Sequence, residues 1–240
     1  MIPWGRAISA GGGKYRRAVM VCGAQMGKTD ELLDVIGERL DTRPAPIMYV
    51  GPSRDFNTDQ FEPRLMALFD QAPSLAGKLA RGQRNKKTKK LISGVPIRLA
   101  HAGSSTSLKS DPAAIALVDE YDEMLRNVKN QGDPLGLVEA RGYSFADFMV
   151  GVASTPSLGT IDVGKDPDTG LEFWKRAAPE DLQSPIWRLW QEGTRRHLAW
   201  PCPDCREYFI PRFACLKWEH FTGRKTTPSE AKQTAYVECP

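Results

Sequence analysis

Apolar positions fall into alternating short runs and helical repeats over the first two-thirds of the chain. The run RAVMVC is of strand length, and after it Leu32, Leu33, Ile36 and Leu40 recur at helical spacing until Pro44 and Pro46 stop the pattern. PIMYVGPS predicts a second strand ending at Gly51-Pro52, and Leu65, Leu68 and Phe69 mark a second helical face. Strand, helix, strand, helix in succession predicts an α/β fold with a mainly parallel sheet flanked by helices. Next, LISGVPIRLAHAGSS predicts a hairpin hinged at Ser93-Gly94. AAIALVDEYDE predicts a buried strand that ends in acid, and FADFMVGVASTPS a strand that ends in a polar turn. At the start, AISAGGGKYRR reads as a flexible basic lead-in, with its glycines marking where order begins. Beyond Thr160 the pattern weakens: DVGKDPDTG reads as a loop, LEFWKRAAPEDL and PIWRLWQEG as short amphipathic pieces, and WPCPDCREYFIPRF as the start of something small and cysteine-based. Two domains are therefore expected, 1–195 and 196–240.

Composition narrows the setting. A chain of 240 residues with 41% hydrophobic content can bury a full α/β core with a small appendage. No stretch approaches the roughly 18 consecutive apolar residues of a membrane span, and no secretion signal opens the chain, so a cytosolic setting away from membranes is expected. The net charge of +4 permits an acidic partner such as DNA without requiring one. Five cysteines, two of them as C-x-x-C, suggest metal binding more than a disulfide frame.

The first candidate chemistry lies in VCGAQMGKTDELL. A phosphate loop has the pattern G-x-x-x-x-G-K-[ST], and here Cys22 stands where its first glycine belongs, with Gly23 one place later. Gly23, Ala24, Gln25, Met26 and Gly27 would offer backbone amides to phosphate oxygens, Lys28 would reach the outer phosphates, and Thr29 would supply a hydroxyl for magnesium. The plain alternative is a strand-to-helix turn that happens to contain G-K-T. The second candidate is IALVDE, where Asp119 would hold magnesium and Glu120 would orient and deprotonate the attacking water; its alternative is a solvated acidic turn running on through Asp122 and Glu123. The third is the turn Ser154, Thr155, Pro156, which could sense the γ-phosphate or pass its loss to another part of the molecule, or could be a capped turn only. Together, in this order, they predict ATP hydrolysis.

These elements resemble the large terminase subunits of tailed bacteriophages, the lambda-like GpA class. GAQMGKT is similar to that family's divergent phosphate loop, and YVGPSRDFNTDQFEPRLMALFDQAPSL to its strand, P-[ST] turn and helix. GVPIRLAHAGSSTSLKS, IALVDEYDE, GDPLGLVEARGYSF, ASTPS and WPCPDCREY resemble later stretches of the family, over about Arg16 to Cys239. The resemblance implies a P-loop NTPase of ASCE type followed by a partial zinc-ribbon-like region. It implies a motor domain that couples Mg-ATP hydrolysis to movement of double-stranded DNA into a prohead, with portal and small terminase subunit as partners. A homo-oligomeric ring is expected when active, a monomer in isolation, and the host cytoplasm as location. Nuclease activity is expected only from a further C-terminal domain, so the chain reads as an N-terminal fragment or a broken gene. Many relatives carry an Arg in the phosphate loop where this chain has Ala24, so a catalytic arginine must come from elsewhere. Arg141 is the first candidate, with Lys109 and Arg54 next. Alternatives are a helicase-like DNA-dependent ATPase and a non-hydrolysing fragment that binds nucleotide, DNA or portal.

The turn PCPDC aims Cys202 and Cys205 at one tetrahedral ion, and Cys239 is the natural third zinc ligand; Cys215 with His220 offers another set, and free thiols remain the alternative. RGQRNKKTKK could track DNA phosphates or form a solvated hairpin tip.

Overall fold

The computed structural model describes residues 3–80, 82 and 85–239. They form two compact units, one within residues 3–159 with Leu182–Gly193 and one of Thr160–Asp181 with residues 194–239.

In the first unit a helix, α1 (Pro3–Ala10), precedes β1 (Arg17–Val21), α2 (Lys28–Thr42) and β2 (Ile47–Gly51). A π-helical segment, Phe56–Phe61, then runs into α3 (Glu62–Gln71). The hairpin β3 (Lys89–Ile92) and β4 (Val95–His101) follows, then α4 (Ser105–Leu108), β5 (Ile115–Asp119), α5 (Pro134–Glu139) and β6 (Met149–Ser154). The helix α6 (Pro185–Glu192) returns to the same unit. Strand order is β1-β6-β5-β2-β4-β3, all parallel except the edge strand β3. The sheet therefore places one strand, β6, between the strand that feeds the glycine-rich turn and the strand that ends in acid.

Every residue of β2, β5 and β6 is buried, as expected for parallel strands covered on both faces. Alternate side chains enter two cores. Ile47, Tyr49, Ile115 and Leu117 pack with Leu32, Ile36, Leu65 and Phe69 of α2 and α3. Met48, Val50, Ala116 and Val118 face the other way, toward Leu108, Leu135, Val138 and Ile186. The expected hairpin forms, and Ser93 and Gly94 both have positive φ (47° and 86°), as a tight two-residue turn between right-twisted strands requires.

Order begins earlier than the glycine tract suggests. In α1, Ile8 is fully buried and Trp4 packs against the first core, because Gly151 leaves them room: a Cβ there would meet Ile8 Cδ1 at 2.4 Å and the Trp4 ring at 3.1 Å. Arg39, buried on α2, ties this helix down by donating to the Ser9 carbonyl at 3.0 Å and to Asp147 Oδ2 at 2.6 Å. That ion pair holds the Asp147 carboxyl below its ordinary range.

In the second unit the stretch read as a loop carries β7 (Val163–Lys165) and its turn, and it pairs as a hairpin with β8 (Glu172–Trp174) from the stretch read as an amphipathic piece. Its turn is organised by Asp166, whose Oδ1 accepts from the Asp168 and Thr169 amides and the Thr169 hydroxyl. The strands β9 (Trp200–Pro201) with β10 (Tyr208–Phe209), and β11 (Leu216–Lys217) with β12 (Tyr236–Val237), form two further ribbons, and α7 (Pro228–Thr234) starts at a capping box between Thr227 and Glu230. Among the described residues no helix is long and apolar enough to cross a membrane.

Candidate nucleotide-binding site

The three motifs meet at the carboxyl end of the parallel strands. Between β1 and α2 the chain turns through Gln25 (φ 56°) and Gly27 (φ 82°), both in the left-handed region. Gly27 caps α2 without a side-chain hydrogen bond, so the first-turn amides remain available to an anion. Lys28 is 5% exposed, and its ammonium is drawn back over the loop. It donates to the Gly23 carbonyl at 3.3 Å and to Thr155 Oγ1 at 2.7 Å, and lies 3.3 Å from Glu120 Oε1.

Asp119 has no solvent exposure. Its Oδ2 accepts from Thr29 Oγ1 and from the Tyr49 hydroxyl, each at 3.0 Å, while Oδ1 is buried with no partner. Burial raises the Asp119 pKa, and the two hydroxyl donors oppose that shift. An unpartnered buried carboxylate oxygen next to a threonine hydroxyl is the donor chemistry that a hard cation such as magnesium selects. The residues thus fit that ion.

Glu120 follows in the left-handed conformation (φ 52°), a strained state for a non-glycine residue. This turns its carboxylate away from the strand axis toward Lys28, and its Oε2 accepts from the Thr155 amide at 3.4 Å. The β6 turn is tied in as well. Ser154 Oγ accepts from the Asp122 amide at 3.0 Å, and Asp122 in turn accepts from the Ser157 amide at 3.0 Å and the Ile186 amide at 2.8 Å. The residues set beside a solvated acidic turn therefore include a connector, Asp122, between the Ser-Thr-Pro turn and α6. Pro156 sits within that turn.

A cavity of about 270 Å³ opens here, with Gln25 to Asp30 and Glu120 on one side and Phe56, Gln60, Phe61 and Arg64 on the other. Arg64, which sequence reasoning missed, pairs with Asp30 at its rim. Arg141 is not among the residues brought together. Its carbonyl accepts from the Ala113 amide at the amino end of β5, roughly 20 Å of strand from Asp119, and its guanidinium donates to the Lys109 carbonyl. Lys109 itself donates to Gln131, and Arg54 is exposed just beyond β2.

In the second unit Cys202, Cys205 and Cys239 bring their sulfurs within 4.8 Å of one another, with Cys205 and Cys239 3.8 Å apart. Backbone amides of the turn lower the Cys202 pKa, whereas its thiol neighbours push Cys239 up to about 11. Neither Cys215 nor His220 joins this group, and no fourth ligand completes it among the described residues. Of the basic run, Lys89 pairs with Asp111 and buried Lys90 with Glu62, so these two are structural; Arg81 and Arg84 lie outside the described residues.

A six-stranded, mainly parallel sheet with a glycine-rich turn, an invading strand and an acidic strand end defines the P-loop NTPase class. The sequence model of the phage terminase large subunit gpA ATPase domain matches residues 7–240, and the chain belongs to this family. Among solved structures, the large terminase ATPase domain of Thermus phage P74-26 superposes with a TM-score of 0.50 at 15% identity, over 80% of this chain and 85% of that one. The Phi-28 gp11 DNA packaging motor aligns more loosely, with a TM-score of 0.40 at 12% identity over 75% of this chain and 62% of that one. No curated protein is significantly similar in sequence.

Proposed function

We propose that this ATPase domain hydrolyses Mg-ATP and couples each turnover to movement of double-stranded DNA into a prohead. The observation that carries the reading is the convergence of Lys28, Asp119, Glu120 and Thr155 at one end of the sheet. Amides from Gly23 to Thr29 bind the phosphates, and Lys28 neutralises the outer ones. Thr29 and Asp119 hold magnesium, which when bound neutralises charge on the phosphate oxygens. Glu120 orients the attacking water and accepts its proton. The contact of Thr155 with Lys28, and of Ser154 with Asp122, gives phosphate loss a route to α6, which supports Ser154, Thr155 and Pro156 as the coupling turn.

Lys28 lies 3.3 Å from Glu120, so a triphosphate that draws the ammonium to its outer oxygens would free that carboxylate to face the water. Isolated chains are expected to turn over slowly, as monomers outside their assembly. A finger role for Arg141 requires a neighbouring copy in a homo-oligomeric ring, since within one chain it stands at the other end of the sheet. Portal, prohead and small terminase subunit are the proposed partners in that assembly, in the host cytoplasm. Zinc is the ion proposed for Cys202, Cys205 and Cys239.

Glu120→Gln separates binding from chemistry. The variant should keep Mg-ATP affinity and lose hydrolysis by on the order of 10²–10⁴-fold, in assays with and without duplex DNA. Unchanged turnover would remove Glu120 from the reaction, and absent hydrolysis in the wild type with DNA would favour a binding fragment.

A further inference from the structure

We infer that Tyr49 is a positioning residue for Asp119, holding one carboxylate oxygen so that the other is presented to the metal. The inference rests on the nucleotide-site reading above. Tyr49 lies in β2, a strand buried along its whole length, where an aliphatic side chain would satisfy the core. A phenol placed there needs a partner for its hydroxyl, and the partner it has is the Asp119 carboxylate. The parallel register explains the reach: Tyr49 lies opposite Leu117, on the same face of the sheet as Asp119 two residues on, so its hydroxyl projects toward the strand end.

The two oxygens of Asp119 have different surroundings. Oδ2 takes both hydroxyl donors, Thr29 and Tyr49, while Oδ1 takes none. Two donors from different elements fix the plane of the carboxylate, because rotation about its last bond would break both. Thr29, in the first turn of α2, is also the proposed magnesium ligand, so its hydroxyl is shared with the cation. Tyr49 remains as a fixed donor from the sheet.

The ring is fixed in turn. Phe61 stacks on it at 3.4 Å between centroids and 9° between planes. Phe61 closes the π-helical segment Phe56–Phe61, whose wide turn is anchored by Asn57 donating to the Ala100 carbonyl at 2.6 Å. Gly51 makes this anchor possible, because a Cβ there would lie 2.0 Å from Asn57 Oδ1. A chain of contacts thus runs from β4 through the π segment and the tyrosine to the carboxylate.

The test uses manganese as a spectroscopically visible stand-in for magnesium and ADP as the nucleotide, with metal binding read by electron paramagnetic resonance. Tyr49→Phe keeps the ring and its stack, so the fold is retained. The variant should bind manganese about tenfold more weakly in the ADP complex, with ADP affinity in EDTA unchanged. In an Asp119→Asn background the same substitution should have no further effect. Wild-type manganese affinity in Tyr49→Phe, or an equal loss in the Asp119→Asn background, overturns the inference. Failure of the wild type to bind manganese with ADP would sink the nucleotide site itself, whereas a loss in Asp119→Asn without one in Tyr49→Phe sinks only the tyrosine.

Discussion

Asp119 carries the clearest conflict between stability and function. Its folded pKa lies above the ordinary value because it is buried, so the charged form is disfavoured in the folded state. The sign follows: its contribution to stability is greatest at low pH and is lost as pH rises through the folded pKa. At neutral pH without metal, the ionised group with its orphaned Oδ1 destabilises the fold. Asp119→Asn should therefore raise the melting temperature of the metal-free protein, by about 2–4 °C for each kcal/mol relieved, while weakening metal binding. A lower melting temperature in EDTA would show that the charge is stabilising. Asp119, Glu120, Lys28 and Thr29 were legible in the sequence because their chemistry is written in local spacing. Tyr49 was not, because a tyrosine inside PIMYVGPS reads as core until the neighbouring strand is known. Asp122 was hidden for the same reason: its partners Ser157 and Ile186 lie 35 and 64 positions away.

Among the elements, the sheet followed from the alternation of strand and helix periods. The order of its strands did not, since nothing local states that β6 enters between β1 and β5. The helix α1 was hidden by the glycines after it. Gly11 and Gly12 (φ 62° and 48°) form a turn pinned by the Gly12 amide on the Asp147 carbonyl, and they mark the exit from an ordered helix. The cysteine turn between β9 and β10 was visible as C-x-x-C, and Cys239 beyond β12 reaches the same point through folding alone. If these thiols hold zinc, the purified chain under reducing conditions should carry about one equivalent. Cys202→Ser should lose it while leaving nucleotide binding intact. Metal analysis finding no zinc in the wild type would leave the three as free thiols.

For the whole molecule, membership in the terminase large-subunit ATPase family agrees with a site built where parallel strands end. Arg64 lines the cavity, paired with Asp30, whereas Arg141 stands near the amino end of β5 and donates to the Lys109 carbonyl. Their separation could not be drawn from sequence, where Arg141 stood out as the first finger candidate and Arg64 did not. The central claim is that Lys28, Asp119 and Glu120 together hold a magnesium-bound triphosphate. The most direct measurement is a crystal structure of the chain with magnesium and a non-hydrolysable ATP analogue. The phosphates should lie on the amides of residues 23–29, with Lys28 Nζ on the outer phosphate, Glu120 released from it, and Asp119 Oδ1 facing the metal. A nucleotide bound elsewhere, or Lys28 still paired with Glu120 and Thr155 beside a bound triphosphate, would contradict the account.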